Sequence, residues 1–245
     1  MSQLSTARDL YLSLLSECLI GSLIEDSVNR SYDAQRRDRG LDWPLWGVSM
    51  IGRQRMAHLR QSMECVLREG IPGDMMETGV WRGGACIYMR AILKVYGVTD
   101  RRVWLADSFE GLPTPDAAKF PADVDSTLHT FDRLRASLED VQRSFARYDL
   151  LDDQVRFIKG WFRDTLPTAP VGPLAILRLD GDMYESTIIA LDSLYDRVVP
   201  GGFVIVDDYH GVEACRMAVH DFCGKRGFRP VIAEIDGMGV YWRVQ

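Results

Sequence analysis

Residues 74–84 of this chain are Asp74-Met75-Met76-Glu77-Thr78-Gly79-Val80-Trp81-Arg82-Gly83-Gly84. A short run that ends at Glu77, followed by Gly79 and Gly83-Gly84, predicts a strand, a tight turn and a helix start, because glycine lets the backbone turn sharply and approach a ligand. Dinucleotide-binding folds have G-x-G-x-x-G at this point, whereas this chain has E-x-G-x-x-x-G. A carboxylate is poorly placed beside a pyrophosphate but accepts hydrogen bonds from an ammonium group. The stretch therefore favours the methionine end of S-adenosylmethionine over NAD.

Strand and helix patterns alternate along the chain after this stretch. Short apolar strands are predicted at Asp74–Thr78, Val103–Asp107, Val155–Lys159, Leu174–Asp180 and Gly202–Asp207. Helical patterns follow Gly84, Phe131, Tyr184 and Val212. Two final strands, Arg229–Ile235 and Met238–Val244, are joined by Asp236-Gly237 and must pair antiparallel. We predict an α/β fold of the Rossmann-like class I methyltransferase type, with a mostly parallel seven-stranded sheet, a C-terminal antiparallel hairpin and an N-terminal helical extension.

Composition excludes several classes of partner. The 245 residues carry 29 basic and 35 acidic side chains, a net charge of -6, so there is no broad cationic field for nucleic acid or an acidic membrane surface. The first 30 residues lack the uninterrupted apolar stretch of a signal peptide, which predicts a cytoplasmic location. The five cysteines have no C-x-x-C spacing, and their odd number favours free thiols over a disulfide framework.

The first part of the chain lies outside the strand–helix alternation. We expect residues 1–72 to form a helical extension and residues 73–245 to form the methyltransferase domain. A first helix is predicted from the spacing of Leu10, Leu14, Leu15 and Cys18, and a second from about Met50, with an apolar stripe at Met56, Leu59, Met63, Val66 and Leu67. The aromatic cluster Trp43-Pro44-Leu45-Trp46 between them suits either a core or subunit contact, or a grip on an apolar substrate.

A long proline-containing stretch, Gly111–Thr130, follows the second predicted strand of the domain. It is too long for a routine connection, so it is either a lid over the ligand crevice or a disordered surface insertion. Its position at the carboxyl end of a strand favours the lid. His129 would then be able to reach the site, or it is structural, as a lone histidine usually is.

Asp107 ends the predicted strand Val103–Asp107. An acid at the tip of this strand accepts hydrogen bonds from both ribose hydroxyls in NAD enzymes and S-adenosylmethionine enzymes alike. It therefore indicates a nucleoside without choosing one. Ser108 would add a hydroxyl to the same pocket or serve as an ordinary turn residue.

Acidic clusters follow two further strands. Asp180-Gly181-Asp182 comes after Leu174–Leu179, and Asp207-Asp208 comes after Phe203–Val206. These strands are neighbours in the predicted fold, so we expect the three carboxylates of Asp180, Asp207 and Asp208 to converge. Like charges at such distances are mutually unfavourable, which favours a divalent cation between them, and all-oxygen ligation favours Mg²⁺ over zinc. The alternative is that these aspartates only cap helices.

Taken together, these motifs resemble the macrocin O-methyltransferase family over nearly the whole chain. The matching stretches are 77–84, Ala106-Asp107-Ser108-Phe109-Glu110-Gly111, Gly160-Trp161-Phe162-Arg163-Asp164-Thr165, Asp180-Gly181-Asp182 and Asp207-Asp208-Tyr209. The resemblance implies an enzyme that uses S-adenosylmethionine and Mg²⁺ to methylate a hydroxyl, typically on a deoxysugar of a macrolide or aminocoumarin antibiotic. The expected partner is thus a small glycosylated molecule.

The resemblance also implies roles for particular residues. Asp180, Asp207 and Asp208 would be the metal ligands, with Asp180 also the general base. The cofactor would contact Glu77, Thr78, Gly79, Gly83, Asp107, Ser108 and, near adenine, Gly160 and Trp161. Trp43 and Met50 would contact the substrate, and His210 has no assigned role.

Two other classes of function are compatible with parts of this pattern. A catechol-type O-methyltransferase shares the fold and the metal chemistry but acts on a flat phenolic ring. A cofactor-binding regulatory module would not need the converging acids. We further expect a homodimer, because symmetric dimers are common and the amino-terminal segment carries aromatic residues.

Overall fold

A computed structural model describes residues 3–28 and 31–245 of the chain, so Met1, Ser2, Asn29 and Arg30 of the predicted extension lie outside the described residues. The helices are α1 (Gln3–Leu19), α2 (Ala34–Asp38), α3 (Gly52–Arg68), α4 (Gly84–Val95), α5 (Leu138–Arg147), α6 (Phe162–Thr165), α7 (Tyr184–Leu194) and α8 (Glu213–Arg226). The strands are β1 (Asp74–Thr78), β2 (Val103–Asp107), β3 (Val155–Lys159), β4 (Leu174–Leu179), β5 (Val198–Val206), β6 (Ala233–Glu234) and β7 (Val240–Arg243).

Within the described residues these strands form one seven-stranded sheet in the order β3-β2-β1-β4-β5-β7-β6. β1 to β5 run parallel, and β7 pairs antiparallel with both β5 and β6. The predicted class I methyltransferase fold is therefore confirmed. In this order the chain reverses direction across the sheet between β1 and β4, and ligands of open α/β sheets bind at the carboxyl ends of such strands.

The strand boundaries follow the sequence pattern closely. β1, β2 and β3 begin and end as predicted, whereas β4 ends at Leu179 and leaves Asp180 in the following loop. β5 begins earlier than predicted, because Val198 pairs with Leu174. The hairpin strands are shorter than predicted, and only Ala233 and Glu234 of β6 pair with β7.

Both faces of the sheet are buried, which is why its strands are almost continuously apolar. Met75 of β1 packs into a core with residues of α1, α3, α4 and α5, while its neighbour Met76 packs into a second core with residues of α7 and α8. No helix among the described residues is long and apolar enough to cross a membrane.

The first predicted helix is present as α1, but of the three leucines that predicted it only Leu15 is buried. Leu10 and Leu14 are 68% and 57% exposed, whereas Leu12, Leu15 and Leu19 are buried against the core that includes α3 and α4. The helix carries leucines on two faces, and only the neighbouring helices select one of them. In α3 the predicted stripe is correct for Met56, Leu59, Met63 and Val66, while Leu67 is partly exposed.

The helical pattern after Phe131 becomes a helix later than expected. A short 3-10 turn at Asp132–Leu134 comes first. α5 then begins at Leu138 because the Ser137 hydroxyl accepts the Asp140 N–H, an N-cap that fixes the start.

Candidate active site

A cavity of about 460 Å³ lies at the carboxyl ends of the parallel strands. This volume is within the range of small-molecule sites. The lining includes nine residues singled out from the sequence: Trp43, Met50, Gly79, Asp107, Ser108, Trp161, Asp180, Asp207 and Asp208. Four others singled out from the sequence do not line it: Glu77, Thr78, Gly83 and Gly160.

The glycine loop brings backbone up to this cavity between β1 and α4. Gly79 has φ +82°, and a Cβ atom at this position would lie 1.8 Å from the carbonyl oxygen of Asp180. Only glycine allows this approach of the β1 and β4 ends. Trp81 also lines the cavity, at φ 47°, and its indole N–H donates to the Arg133 carbonyl at 2.8 Å.

Asp107 lies at the end of β2 on the cavity wall. Its Oδ2 accepts the Val80 N–H at 2.8 Å, and its Oδ1 accepts the Phe109 N–H at 2.7 Å. These bonds fix the carboxylate, while burial raises its pKa. The Ser108 hydroxyl donates to the Gly111 carbonyl at 2.7 Å, so it stabilises the turn that leads into the long loop. That contact matches the turn role considered for Ser108.

Glu77 is the main departure from the sequence expectation. Its carboxylate is 2% exposed and lies beneath the loop, where Oε1 pairs with Arg178 and Oε2 accepts from the Cys86 thiol at 2.9 Å. The reason is register, because Glu77 of β1 lies opposite Arg178 of β4. Burial raises the pKa of Glu77 to about 7 against the opposing effect of Arg178. The Glu77 carboxylate is therefore held by Arg178 and Cys86 and does not line the cavity.

The acidic side chains that follow β4 and β5 do converge. One carboxylate oxygen each from Asp180, Asp207 and Asp208 lies within 4.8 Å of the others. β4 and β5 are adjacent, with Leu179 opposite Val206, so the residues after them share one edge of the sheet. The Asp182 N–H donates to Asp208 Oδ2 at 3.2 Å and brings a fourth acid, Asp182, to the cavity wall.

Burial and mutual repulsion disfavour ionisation of these acids. Burial, reinforced by Asp182 and Asp180, raises the pKa of Asp208 well above its usual range. Burial next to Asp180 and Asp207 raises the pKa of Asp182 to about 7. Burial and Asp207 also raise the pKa of Asp180. Such shifts are typical of carboxyls that share a site.

Two buried arginines at the cluster were not identified from the sequence. Arg178 pairs with Glu77, Asp180 and Asp207, and Arg55 of α3 pairs with Asp207 and with Asp236 of the final hairpin. A charged residue within the apolar run 174–179 was a visible signal for Arg178. Arg55 had a similar signal, because it is a charged residue on the same buried face of α3 as Leu59 and Val66.

These arginines neutralise part of the negative charge of the converging acids, so a metal is not the only source of compensating charge. The carboxylates still outnumber the guanidinium groups, and among the described residues Asp182 and Asp208 form no ion pair with a basic side chain. The donors are all carboxylate oxygens, the ligands that Mg²⁺ prefers. The residues present therefore fit a hard divalent cation.

The amino-terminal segment forms one wall of the cavity through Trp43, Met50 and Arg55. The Arg82 guanidinium, which follows Trp81 in the glycine loop, donates to the carbonyls of Leu45 and Gly47 at 2.9 and 3.0 Å and holds this segment in place. Neither His129 nor His210 is among the lining residues. His210 Nε2 lies 2.8 Å from Glu234 Oε1.

The long loop 111–130 is docked on the domain. Asp123, which is buried in a 3-10 turn of this loop, accepts the Tyr184 and Glu185 N–H groups at 2.8 and 2.9 Å. These donors are the free N–H groups at the start of α7, directly after the Asp180–Asp182 turn. Gly111 and Leu128 of the same loop line the cavity.

Comparisons with known proteins agree with this arrangement. The family model described as Macrocin-O-methyltransferase (TylF) matches residues 8–244. The 8-demethyl-8-(2,3-dimethoxy-alpha-L-rhamnosyl)-tetracenomycin-C 4'-O-methyltransferase of Streptomyces olivaceus is 51% identical over 97% of this chain and 93% of its own. The mycinamicin III 3''-O-methyltransferase of Micromonospora griseorubida is 47% identical over 98% of both chains. A solved structure of the O-methyltransferase NovP superposes with a TM-score of 0.95 at 47% identity, covering 97% of this chain and 99% of that one. This chain therefore belongs to the macrocin O-methyltransferase family.

Proposed function

We propose that this O-methyltransferase transfers the methyl group of S-adenosylmethionine to a hydroxyl of a deoxysugar on a glycosylated natural product, with the assistance of Mg²⁺. The observation that carries the proposal is the presence of the nucleoside-type acid Asp107 and the oxygen cluster of Asp180, Asp207 and Asp208 in one cavity. The rhamnosyl group in the name of the Streptomyces olivaceus relative supports a sugar acceptor.

For the cofactor, Asp107 would accept the ribose hydroxyls, because its carboxylate is already oriented by two backbone N–H groups. Gly79 would let the methionine part approach the backbone, and Trp161 would lie beside adenine. Glu77 and Gly83 would act indirectly, by supporting the loop from below. Holding both reactants in line removes about 7 kcal/mol or more of the barrier in well-oriented systems.

For the metal, Asp180, Asp207 and Asp208 would be the protein ligands. Mg²⁺ bound there would supply Lewis-acid polarisation that lowers the pKa of a substrate hydroxyl. Asp207 has both oxygens in contact with arginines, so its contribution depends on how Arg55 and Arg178 share it. Asp208 has no such competitor and would be the more available ligand.

For the proton, Asp180 would serve as the general base, and Asp182 is a second candidate. Asp180 accepts a hydrogen bond from Arg178 at 2.6 Å, and this contact opposes the rise in its pKa that burial and Asp207 cause. Asp182 lines the same cavity without an ion-pair partner among the described residues. The variants Asp180→Asn and Asp182→Asn identify the base, because excess Mg²⁺ would not restore the rate of a variant that has lost the base.

For the acceptor, residues 1–72 would act as a substrate-selecting extension to the catalytic domain at 73–245. Trp43 and Met50 would contact the acceptor from one side. The loop 111–130 would cover it from the other side and exclude water. We also propose that the enzyme is a cytoplasmic homodimer.

The function is tested by incubating the protein with S-adenosylmethionine labelled in the methyl group, Mg²⁺ and a panel of acceptors. The panel contains rhamnosylated polyketides, glycosylated macrolides, aminocoumarins and catechols, each with its unglycosylated or ring-methylated counterpart. Labelled methyl on a sugar oxygen, located by mass spectrometry and NMR, is the expected product. Transfer only to catechols would replace the proposed acceptor with a phenolic one.

A further inference from the structure

Arg178 lies in the middle of the sheet yet contacts three acids on three strand ends. It is 2% exposed, in a strand whose other residues are apolar. Its Nη1 donates to Glu77 at the end of β1 and, at 2.6 Å, to Asp180 after β4. Its Nη2 donates to Asp207 after β5.

Only an arginine makes this set of contacts at a buried position. The guanidinium is planar, stays charged when desolvated and presents several donors in a fixed fork, whereas a lysine ammonium is a single point charge. Burying a charge costs several kcal/mol unless it is paired and hydrogen-bonded, and here three carboxylates supply the compensation. The position of Arg178 therefore depends on all three acids together.

The three acids belong to two different binding regions. Asp180 and Asp207 belong to the proposed metal cluster. Glu77 lies at the start of the glycine loop, and through the Cys86 thiol it also contacts α4, the helix that follows the loop. One guanidinium is thus shared between the metal cluster and the support of the cofactor loop.

This sharing has an electrostatic consequence. A cation at the cluster would neutralise Asp180 and Asp207, so these acids would hold Arg178 less strongly and the guanidinium would pair more fully with Glu77. A firmer Glu77–Arg178 pair fixes the end of β1 and the loop that begins there. Without the cation, the guanidinium is divided among three acids, and the loop would be held less firmly.

We propose that Arg178 is a positioning residue that couples metal binding to cofactor binding, so that each ligand tightens the binding of the other. The inference rests on the proposed use of S-adenosylmethionine and Mg²⁺. Because coupling between sites is reciprocal, it is measurable from either side without any turnover.

The test is a binding cycle by calorimetry, with S-adenosylhomocysteine titrated in the presence and absence of Mg²⁺ and Mg²⁺ titrated with and without S-adenosylhomocysteine. This product lacks the positive sulfonium, so direct repulsion from Mg²⁺ does not mask the coupling; S-adenosylmethionine is run in parallel. In the wild-type protein we expect Mg²⁺ to tighten S-adenosylhomocysteine binding about 5-fold or more. In Arg178→Gln we expect the ratio to fall to about 1.

Two further variants separate positioning from structural loss. Arg178→Lys keeps the charge but not the fork, so we expect it to recover only part of the coupling. Arg90→Gln removes another buried arginine. Arg90 lies on α4, and its guanidinium pairs at 2.5 Å with Asp152 in the loop before β3. It should lower the melting temperature as Arg178→Gln does, yet retain wild-type coupling.

Three results would overturn the inference. Wild-type protein that binds both ligands without coupling would reject it while leaving the proposed function intact. Arg178→Gln with wild-type coupling would make Arg178 a purely structural ion pair. Wild-type protein that binds S-adenosylhomocysteine but no Mg²⁺ would reject the metal part of the proposed function and this coupling with it.

Discussion

At the scale of single residues, Asp107 carries the first prediction. Asp107→Ala should weaken S-adenosylmethionine binding by about 1.5 to 3 kcal/mol, because hydrogen bonds to a charged acceptor are lost. Calorimetry on the folded variant measures this. Asp74→Ala is the matched control, because Asp74 likewise accepts a backbone N–H, from Arg102 at 2.9 Å. Asp74 lies at the amino end of β1, whereas Asp107 lies at the carboxyl end of β2. Equal affinity in Asp107→Ala and Asp74→Ala would remove Asp107 from the cofactor site.

The second prediction for single residues concerns the metal dependence of Asp208 and Asp180 variants. Chelation should abolish turnover and Mg²⁺ should restore it. Asp208→Asn should raise the Mg²⁺ concentration needed for half-maximal rate while leaving the melting temperature in chelator unchanged or higher, because it removes one like charge from a crowded cluster. Asp180→Asn should lose about 100-fold or more in rate that excess Mg²⁺ does not restore, since the proposed base is gone.

The same experiment discriminates between the readings of this cluster. Full activity in chelator would eliminate the metal. Rescue of Asp180→Asn by Mg²⁺ would keep the metal and transfer the base role to Asp182, in which case Asp182→Asn should be the variant that Mg²⁺ does not rescue.

At the scale of elements, the segment between α2 and α3 has a matched pair of tryptophans. Trp43 lines the cavity, whereas Trp46 is 72% exposed and does not. Trp43→Ala should raise the acceptor KM and leave S-adenosylmethionine affinity unchanged, while Trp46→Ala should change neither value. Steady-state kinetics and calorimetry measure both. Loss of cofactor binding in Trp43→Ala would show that the segment is structural.

The packing of α3 on the sheet predicts a pH dependence of stability. The His58 ring lies 4.3 Å from the ring of Tyr241 in β7, and burial, with Arg178 nearby, lowers the pKa of His58 to about 4. The unfolded chain takes up this proton near pH 6.5, so stability falls as pH decreases from about 6.5 to 4 and is unaffected by this group at higher pH. Allowing for partial solvent exposure, the loss is about 1 to 2 kcal/mol.

Urea unfolding of the wild type and of His58→Gln at pH 7.5 and pH 5 measures this contribution. The difference in unfolding free energy between the two pH values should be smaller in His58→Gln. An equal difference in both proteins would show that the acid sensitivity comes from other groups.

At the scale of the whole molecule, the exposed face of α1 predicts a homodimer. Leu10 and Leu14 on this face, with Leu23 and Ile24 just beyond the helix, are more than half exposed. Leu10 and Leu14 are neighbours one turn apart on α1, exposed apolar patches mark interfaces, and a symmetric dimer is the simplest closed arrangement. Leu14→Glu should therefore convert a dimer to a monomer in sedimentation velocity. Val231→Glu, at an even more exposed apolar residue before β6, should not. A monomeric wild-type protein would contradict the prediction.

Sequence by itself determined the strands, the glycine loop and the positions of the acids. These depend on local rules: strand periodicity, the backbone freedom of Gly79 and the placement of polar residues where apolar runs end. β1 to β3 match residue for residue, and Asp107, Asp180 and Asp208 lie on the cavity wall as expected. The side chains that contact each acid could not be predicted from the neighbouring sequence.

The tertiary structure alone decided the electrostatic partners and the buried faces. Arg178 reaches Glu77 across 101 residues of sequence and Arg55 reaches Asp207 across 152, contacts that exist only because β1, β4, β5 and α3 become neighbours. The same holds for α1, whose leucines on two faces are equivalent until α3 and α4 cover Leu12 and leave Leu14 exposed. Periodicity places a side chain on its element, but pairing and desolvation depend on what the fold puts opposite it.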